Sequence, residues 1–157
     1  MTLEMLLAER EIYRALARFA RAMDQRDWGA LDALVYPDAT ADLGVGPVQG
    51  RDALVGVMRS FLDDCGPTQH LLGNVLIEVE GDTATSSCYV SDMHKGTGAK
   101  AALTFSTLGE YHDSWRREPS RPPRVEGTPS RPPGPSGDEG GGRRERITEP
   151  VSVAKTP

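Results

Sequence analysis

Apolar residues recur at intervals of three and four positions between residues 3 and 23, opposite a row of arginines. The positions on the apolar side are Met5, Ile12, Leu16, Phe19 and Met23. This period predicts one long amphipathic helix. A second, short helix is expected to start with Asp27 as its N-cap, and Pro37 and Asp38 are expected to end it.

A third helical pattern covers residues 51–62, between Gly50 and the dipeptide Gly66-Pro67. Its apolar stripe consists of Leu54, Val57, Met58 and Phe61. Residues 39–49, which precede it, are rich in glycine and alternate only weakly, so the pattern does not decide between a strand and a loop there.

Three stretches with a period of two follow, at residues 68–79, 83–94 and 101–115. In the middle stretch, for example, Tyr89 and Ser91 share one face, and Cys88 and Val90 share the other. The dipeptide Gly81-Asp82 predicts a turn between the first two strands. Helices followed by an antiparallel meander indicate an α+β fold, in which the helices cover one face of a curved sheet.

The composition changes at Pro119. Residues 119–157 hold nine of the 12 prolines and no aromatic residue, and they carry a net charge of +2 against −7 for the rest. We therefore expect one folded domain over residues 1–118 and a flexible, partly polyproline tail over 119–157. The prolines that open this tail are expected to exclude a central strand, so that 101–115 would form an unpaired sheet edge, which dimerisation would cover.

Charge and hydropathy exclude several classes of protein. The net charge is −5 in 157 residues, and no apolar run approaches the length of a membrane span, so neither a nucleic-acid partner nor a membrane is expected. The N-terminus lacks the basic and small-residue pattern of a signal peptide. Cys65 and Cys88 lie in no motif and are expected to be reduced thiols, in a cytoplasmic protein.

Three residues suit proton transfer: Asp24 at the end of the first helix, His70 at the start of a strand and His94 at the end of the next. An imidazole titrates near neutral pH, and a carboxylate can fix its tautomer. Alternatively, Asp24 caps a helix or pairs with Arg26, and His94 lies in a solvated turn. Two histidines and one aspartate could also form an open three-ligand metal site, but none is expected, because the histidines lack HxH, HxxxH or HExxH spacing. The remaining histidine, His112, is expected to face solvent.

The order of the short motifs resembles that of a known protein family. A helix ending in AMDQ, a GR-opened helix, a TQH strand, a GD turn, YVSDMH and GEYHD follow one another over roughly residues 5–117. This order resembles the SnoaL-like branch of the nuclear transport factor 2 superfamily, which includes polyketide cyclase-like proteins. The resemblance implies a cone: a strongly bent antiparallel sheet that wraps the helices and encloses an apolar pocket.

Within that superfamily, the chain is similar to scytalone dehydratase and hexachlorocyclohexane dehydrochlorinase. The resemblance implies an Asp24–His70 dyad that works without a cofactor, with His94 as a second active-site histidine. Two tyrosines of the dehydratase correspond to Met23 and Leu43, which cannot donate a hydrogen bond through their side chains. Scytalone itself is therefore not expected as the substrate.

The function expected from this resemblance is an acid–base lyase or isomerase acting on a small, apolar, ring-bearing molecule. The expected pocket lining is Phe19, Leu43, Met58, Phe61 and Val90. The alternative is a non-catalytic module of the same fold that binds a small hydrophobic ligand or serves oligomerisation. In either case a homodimer or higher homo-oligomer is expected.

Overall fold

The computed structural model describes residues 2–117 and 124–129. Its helices are α1 (Leu3–Gln25) and α2 (Arg51–Leu62), with short 3-10 turns at Trp28–Ala33 and Gly98–Lys100. Its strands are β1 (Val35–Asp42), β2 (Pro47–Gln49), β3 (Thr68–Glu80), β4 (Thr83–Lys95), β5 (Thr104–Arg116) and β6 (Arg124–Pro129). The predicted α+β class, with N-terminal helices and a meander, is confirmed.

The predicted N-cap at Asp27 is confirmed, and α1 has a further cap, Thr2, that was not predicted. The side chain of Thr2 caps α1 by accepting a hydrogen bond from the backbone N–H of Met5, and Asp27 caps the following 3-10 turn through the N–H of Ala30. The apolar stripe of α1 is buried against the sheet. At the start of the sheet the prediction is wrong, because Pro37 and Asp38 lie inside β1 rather than in a break.

The sheet is open and has the strand order β2-β1-β6-β5-β4-β3. Strands β3, β4 and β5 form the long antiparallel part, and the turn between β3 and β4 uses Gly81 with a φ of 60°. A bulge between Gly73 and Leu76 interrupts the β3 ladder and places Asn74 at a φ of 52°. Such bulges bend a strand, which curves the sheet around the helices.

The expectation that no strand follows β5 is wrong. Strand β6 lies in the middle of the sheet, parallel to β1 and antiparallel to β5. The three prolines at 119–123 precede this strand, and Pro129 is its last residue, so none of them removes a ladder hydrogen bond from its interior. The folded region therefore extends past residue 118, and β5 is not an edge. Of the predicted tail, residues 119–123 and 130–157 lie outside the described residues.

The inner face of the sheet and the helices share one core. The largest side chains that it fully buries are Trp115, Ile12, Leu31, Leu54 and Val35. The Nε1–H of Trp115 donates to Ser86 Oγ at 2.9 Å, which satisfies the polar atom of this core residue. Among the described residues, no helix has both the length and the apolar character needed to cross a membrane.

The outer face of β3, β4 and β5 carries an exposed apolar patch. Its members, here called the outer patch, are Leu71, Leu76, Tyr89, Met93 and Leu108, each more than half exposed. Leu71 pairs with Ser91, and Ser91 pairs with Leu108, so two leucines flank one serine across three strands. Several exposed apolar side chains on one face of a sheet make that face a candidate interaction site.

Strand β6 yields a test of the sheet. A chain that ends at Arg117 lacks β6, whereas a chain that ends at Pro129 keeps every described strand. We expect the shorter chain to melt more than about 10 °C below the full chain, because β1 and β5 lose their hydrogen-bonded neighbour. The longer truncated chain should melt close to the full chain. Equal melting temperatures for the two truncated chains, measured by circular dichroism, would contradict the role of β6.

Candidate active site

The structure brings the three predicted proton-transfer residues together. Asp24 lies in the last turn of α1, His70 is the third residue of β3, and His94 is the next-to-last residue of β4. Because β3 and β4 are antiparallel, the start of one lies beside the end of the other. The rings of His70 and His94 meet edge to face, with centroids 5.5 Å apart.

Asp24 and His70 form a close pair. His70 Nδ1 lies 2.6 Å from Asp24 Oδ1, and the backbone N–H of His70 donates to Asp24 Oδ2 at 3.1 Å. Only 6% of the His70 side chain and 19% of the Asp24 side chain are exposed. Donation from Nδ1–H to the carboxylate leaves the lone pair of His70 on Nε2, which is the tautomer that a general base requires.

Arg26 fixes the position of this pair. It ends α1 in the left-handed conformation, with a φ of 57°, and its guanidinium donates to the carbonyls of Met23 and Leu62 at 2.7 and 2.8 Å. It also donates to Thr68 Oγ1 at 2.8 Å, and Thr68 in turn donates to Asp24 Oδ1 at 3.1 Å. The expected alternative, an ion pair with the Asp24 carboxylate, is not what the structure shows, since Arg26 contacts the Asp24 backbone carbonyl.

Asp92 adds a second carboxylate, which lies beside His94. Its Oδ1 lies 3.4 Å from His94 Nδ1 and accepts a hydrogen bond from the N–H of Thr107 at 3.0 Å. Burial lowers the pKa of His94, and the neighbouring His70 lowers it further, while Asp92 acts in the opposite direction. The neutral imidazole of His94 is thereby favoured at neutral pH.

The predicted pocket residues divide into two groups. Phe19, Met58 and Val90 are buried in the shared core, and Leu43 is half-buried against it. Phe61 is 55% exposed on α2, in contrast to the other four. The residues that α2 buries are Leu54, Met58 and Leu62.

Two further groups on the inner face bear on the chemistry. Burial, and then Asp92 and Asp113, raise the pKa of Tyr111, so its phenol stays protonated and can donate a hydrogen bond. Burial and Asp113 raise the pKa of the Cys88 thiol to about 12, which leaves it without nucleophilic thiolate at neutral pH. His112, on the outer face, is half-buried beside Glu110 rather than fully solvated.

The sequence pattern predicted no role for Thr68, Asp92 or Tyr111, and for Arg26 only an ion pair with Asp24. Thr68 and Asp92 stand two residues from His70 and His94 on the same strands, and residues at this separation share a face. That spacing was the available signal for both. The contacts of Arg26 reach residues 36 to 42 positions away, and no local pattern indicates them.

These features agree with comparison to known protein families. A family model of the SnoaL-like domain matches residues 4–121, and the chain belongs to this family. Solved structures with the same fold include one from Salmonella enterica described as a nuclear transport factor 2-like superfamily protein, which is 17% identical with a TM-score of 0.75. An uncharacterized protein of Mycobacterium tuberculosis is 32% identical over 111 residues, which cover 69% of this chain and 75% of that protein.

Solved structures share the fold. A candidate scytalone dehydratase from Novosphingobium aromaticivorans is 20% identical with a TM-score of 0.78, covering 99% of this chain and 100% of that one. The protein LinA is 16% identical with a TM-score of 0.76, covering 92% and 98%. An NTF2-like protein with a cystatin-like fold from Novosphingobium aromaticivorans is 26% identical with a TM-score of 0.68, covering 82% and 83%. The first two likenesses establish the fold alone.

The Arg26 contacts predict a measurable contribution to stability. Arg26→Gly keeps a backbone suited to positive φ but removes the guanidinium, which leaves several carbonyls and Thr68 without their donor. We expect the free energy of unfolding to fall by about 2–3 kcal/mol in urea denaturation. Asn74→Gly is the matched control, since Asn74 has a similar φ and is exposed, and it should change stability by less than about 1 kcal/mol. Equal effects of the two substitutions would assign Arg26 no such role.

Proposed function

We propose that the protein is a cofactor-independent acid–base lyase or isomerase, of the dehydratase or elimination type, with His70 as its base. The observation that carries this proposal is the 2.6 Å contact between His70 Nδ1 and Asp24 Oδ1, which leaves Nε2 as the proton acceptor. Membership of a family whose structural neighbours include proteins described as dehydratases and dehydrochlorinases supports the same reaction class.

In this proposal His70 Nε2 removes a proton from a carbon next to an electron-withdrawing group. The electron pair of the broken C–H bond forms a new C=C bond. In an elimination, a leaving group departs with its own bonding pair; in an isomerisation, the His70 imidazolium returns the proton to another carbon. Asp24 stabilises the imidazolium in between, and general acid–base catalysis of this kind contributes about 10²–10⁴-fold.

His94 and Tyr111 are the proposed hydrogen-bonding partners of the substrate. His94 lies edge to face with His70, and Tyr111 presents a protonated phenol on the inner face of the sheet. Tyr111 can supply the hydrogen-bond donation that Met23 and Leu43 cannot. Phe19, Met58 and Val90 provide the apolar surroundings that favour a small, ring-bearing substrate.

Hydrogen–deuterium exchange tests the first chemical step without requiring the natural substrate. Small cyclic ketones and enones are incubated with the protein in D₂O, and loss of the α-proton signal is followed by NMR. We expect exchange with the wild-type chain and a loss of at least about 10²-fold in His70→Gln, because the base is removed. Asp24→Asn should also slow exchange, since the imidazolium loses its carboxylate.

His112→Gln is the control, because His112 lies on the outer face, away from the dyad. Its exchange rate should equal that of the wild-type chain. Retained exchange in His70→Gln would contradict the assignment of the base. If the wild-type chain binds such compounds but exchanges none of them, the alternative holds, namely a ligand-binding module in which Asp24 and His70 are a structural pair.

The outer patch supports a further proposal, that the chain forms a homodimer or higher homo-oligomer through the outer face of β3, β4 and β5. Leu71 and Leu108 are 58% and 59% exposed there. Burying two such leucines per protomer against a second copy removes apolar area from water, at about 25 cal/mol per Å². The sequence predicted contact at the edge of β5. Because β6 pairs with that edge, we now expect the contact at the outer face.

Light scattering tests this association. The wild-type chain is expected to show a mass at least twice that of one chain, and Leu71→Lys/Leu108→Lys is expected to shift it to the single-chain mass, because both lysines would be buried without partners. Phe61→Lys, on α2 outside the patch, is the control and should leave the mass unchanged. A single-chain mass for the wild type at high concentration would refute the proposal.

A further inference from the structure

Strand pairing places three side chains that can bind a metal on one patch of the inner face. His70 on β3 lies directly opposite Asp92 on β4, and His94 stands two residues further along β4, opposite Thr68. Directly opposed residues share a face of the sheet, and so do residues two apart. His70, Asp92 and His94 therefore project into the same space.

The donor atoms of these three side chains are close together. One ligand atom from each lies within 4.8 Å of the other two, and His94 Nδ1 is 3.4 Å from Asp92 Oδ1. His94 Nδ1 is buried and has no hydrogen-bond partner, so its contact with Asp92 leaves it unsatisfied. An unsatisfied buried nitrogen beside a carboxylate is a cost that a bound cation would remove.

The spacing and the surroundings suit a transition-metal ion. Bonds of about 2.0–2.1 Å to a tetrahedral zinc ion put neighbouring ligand atoms about 3.3–3.4 Å apart, close to the His94–Asp92 separation. The His70 nitrogen can complete the trio with a contraction of at most about 1.5 Å, within the reach of side-chain rotation.

The side chains that hold His70 and Asp92 in place resemble the hydrogen-bonding partners of metal ligands in known metal sites. His70 Nδ1 lies 2.6 Å from Asp24 Oδ1, which leaves Nε2 as the nitrogen that can bind an ion; carboxylates orient metal-binding histidines in this way. Thr107 holds the Asp92 carboxylate through its backbone N–H and its hydroxyl.

We propose that His70, Asp92 and His94 bind a divalent transition-metal ion of the Zn²⁺ class, with a fourth position open. Two imidazoles and one carboxylate are a donor set suited to zinc, cobalt or nickel. The binding itself does not depend on the proposed function. Metal binding and the proposed base catalysis cannot occur at the same time, because an ion on His70 Nε2 occupies the lone pair that would accept the substrate proton.

Isothermal titration calorimetry with ZnSO₄ tests the site on the full chain after treatment with a chelator. We expect one ion per chain. Titration with Co²⁺ gives a second signature: visible ligand-field bands without thiolate charge transfer, which separates this site from adventitious binding at Cys65. Absence of binding, or a spectrum dominated by thiolate, would overturn the proposal.

Four variants locate the ion. His94→Asn and Asp92→Asn each remove one ligand and should weaken Zn²⁺ binding at least tenfold, and either suffices if the other fails to fold. Asp24→Asn keeps all three ligands but loses the carboxylate that orients His70, which should weaken binding by about 10–100-fold. His112→Asn is the control: His112 and Glu110 are also 3.4 Å apart, but no third donor completes a trio there among the described residues.

The affinities decide the outcome. Unchanged affinity in both His94→Asn and Asp92→Asn, or an equal loss in His112→Asn, would place the ion elsewhere. The exchange assay on the metal-free chain judges the proposed function separately. Should metal-free protein exchange protons, Zn²⁺ is expected to inhibit that exchange; unimpaired exchange at saturating Zn²⁺ would show that the ion does not bind His70 Nε2.

Discussion

The guanidinium of Arg26 is the interaction on which the rest of the site depends. The last carbonyls of a helix have no partner within the helix, and a cation is favourable beside them. Arg26 uses this at two helices, since it donates to Met23 and Asp24 at the end of α1 and to Leu62 at the end of α2. The same group reaches Thr68 at the start of β3. The Arg26 side chain thereby sets the distance between α1, which carries Asp24, and β3, which carries His70.

The contacts of Arg26 and Thr68 keep the Asp24–His70 pair in a fixed orientation. Asp24 accepts hydrogen bonds from the hydroxyl of Thr68, the backbone of His70 and the ring of His70, so its carboxylate has little freedom to turn. A base whose tautomer and orientation are fixed before the substrate arrives needs no rearrangement during the reaction. In the proposed reaction, His70 Nε2 accepts the substrate proton; in the proposed metal site, the same atom binds the ion.

The sheet shows how tertiary contacts override local composition. The segment that supplies β6 is rich in proline and carries little apolar patterning, and both features argue against a strand. The backbone of Arg124–Pro129 nevertheless pairs with β1 on one side and β5 on the other. Two ready-made strand edges provide hydrogen-bond partners for a segment that would not form a strand alone. Because β6 covers the edge of β5, the exposed apolar residues of the meander lie on its outer face.

The sequence alone determined the elements with strong periodicity, α1, α2 and strands β3 to β5, together with the Asp27 cap and the Gly81 turn. It also indicated Asp24, His70 and His94 through motif order, because these residues stand at element ends that short patterns define. It could not indicate the contacts that Arg26 makes, the pairing of His70 with Asp92, the exposure of Phe61 or the insertion of β6. Those depend on which strands lie side by side and on which faces of the helices are covered. Such contacts join residues tens of positions apart, and only the folded chain decides them.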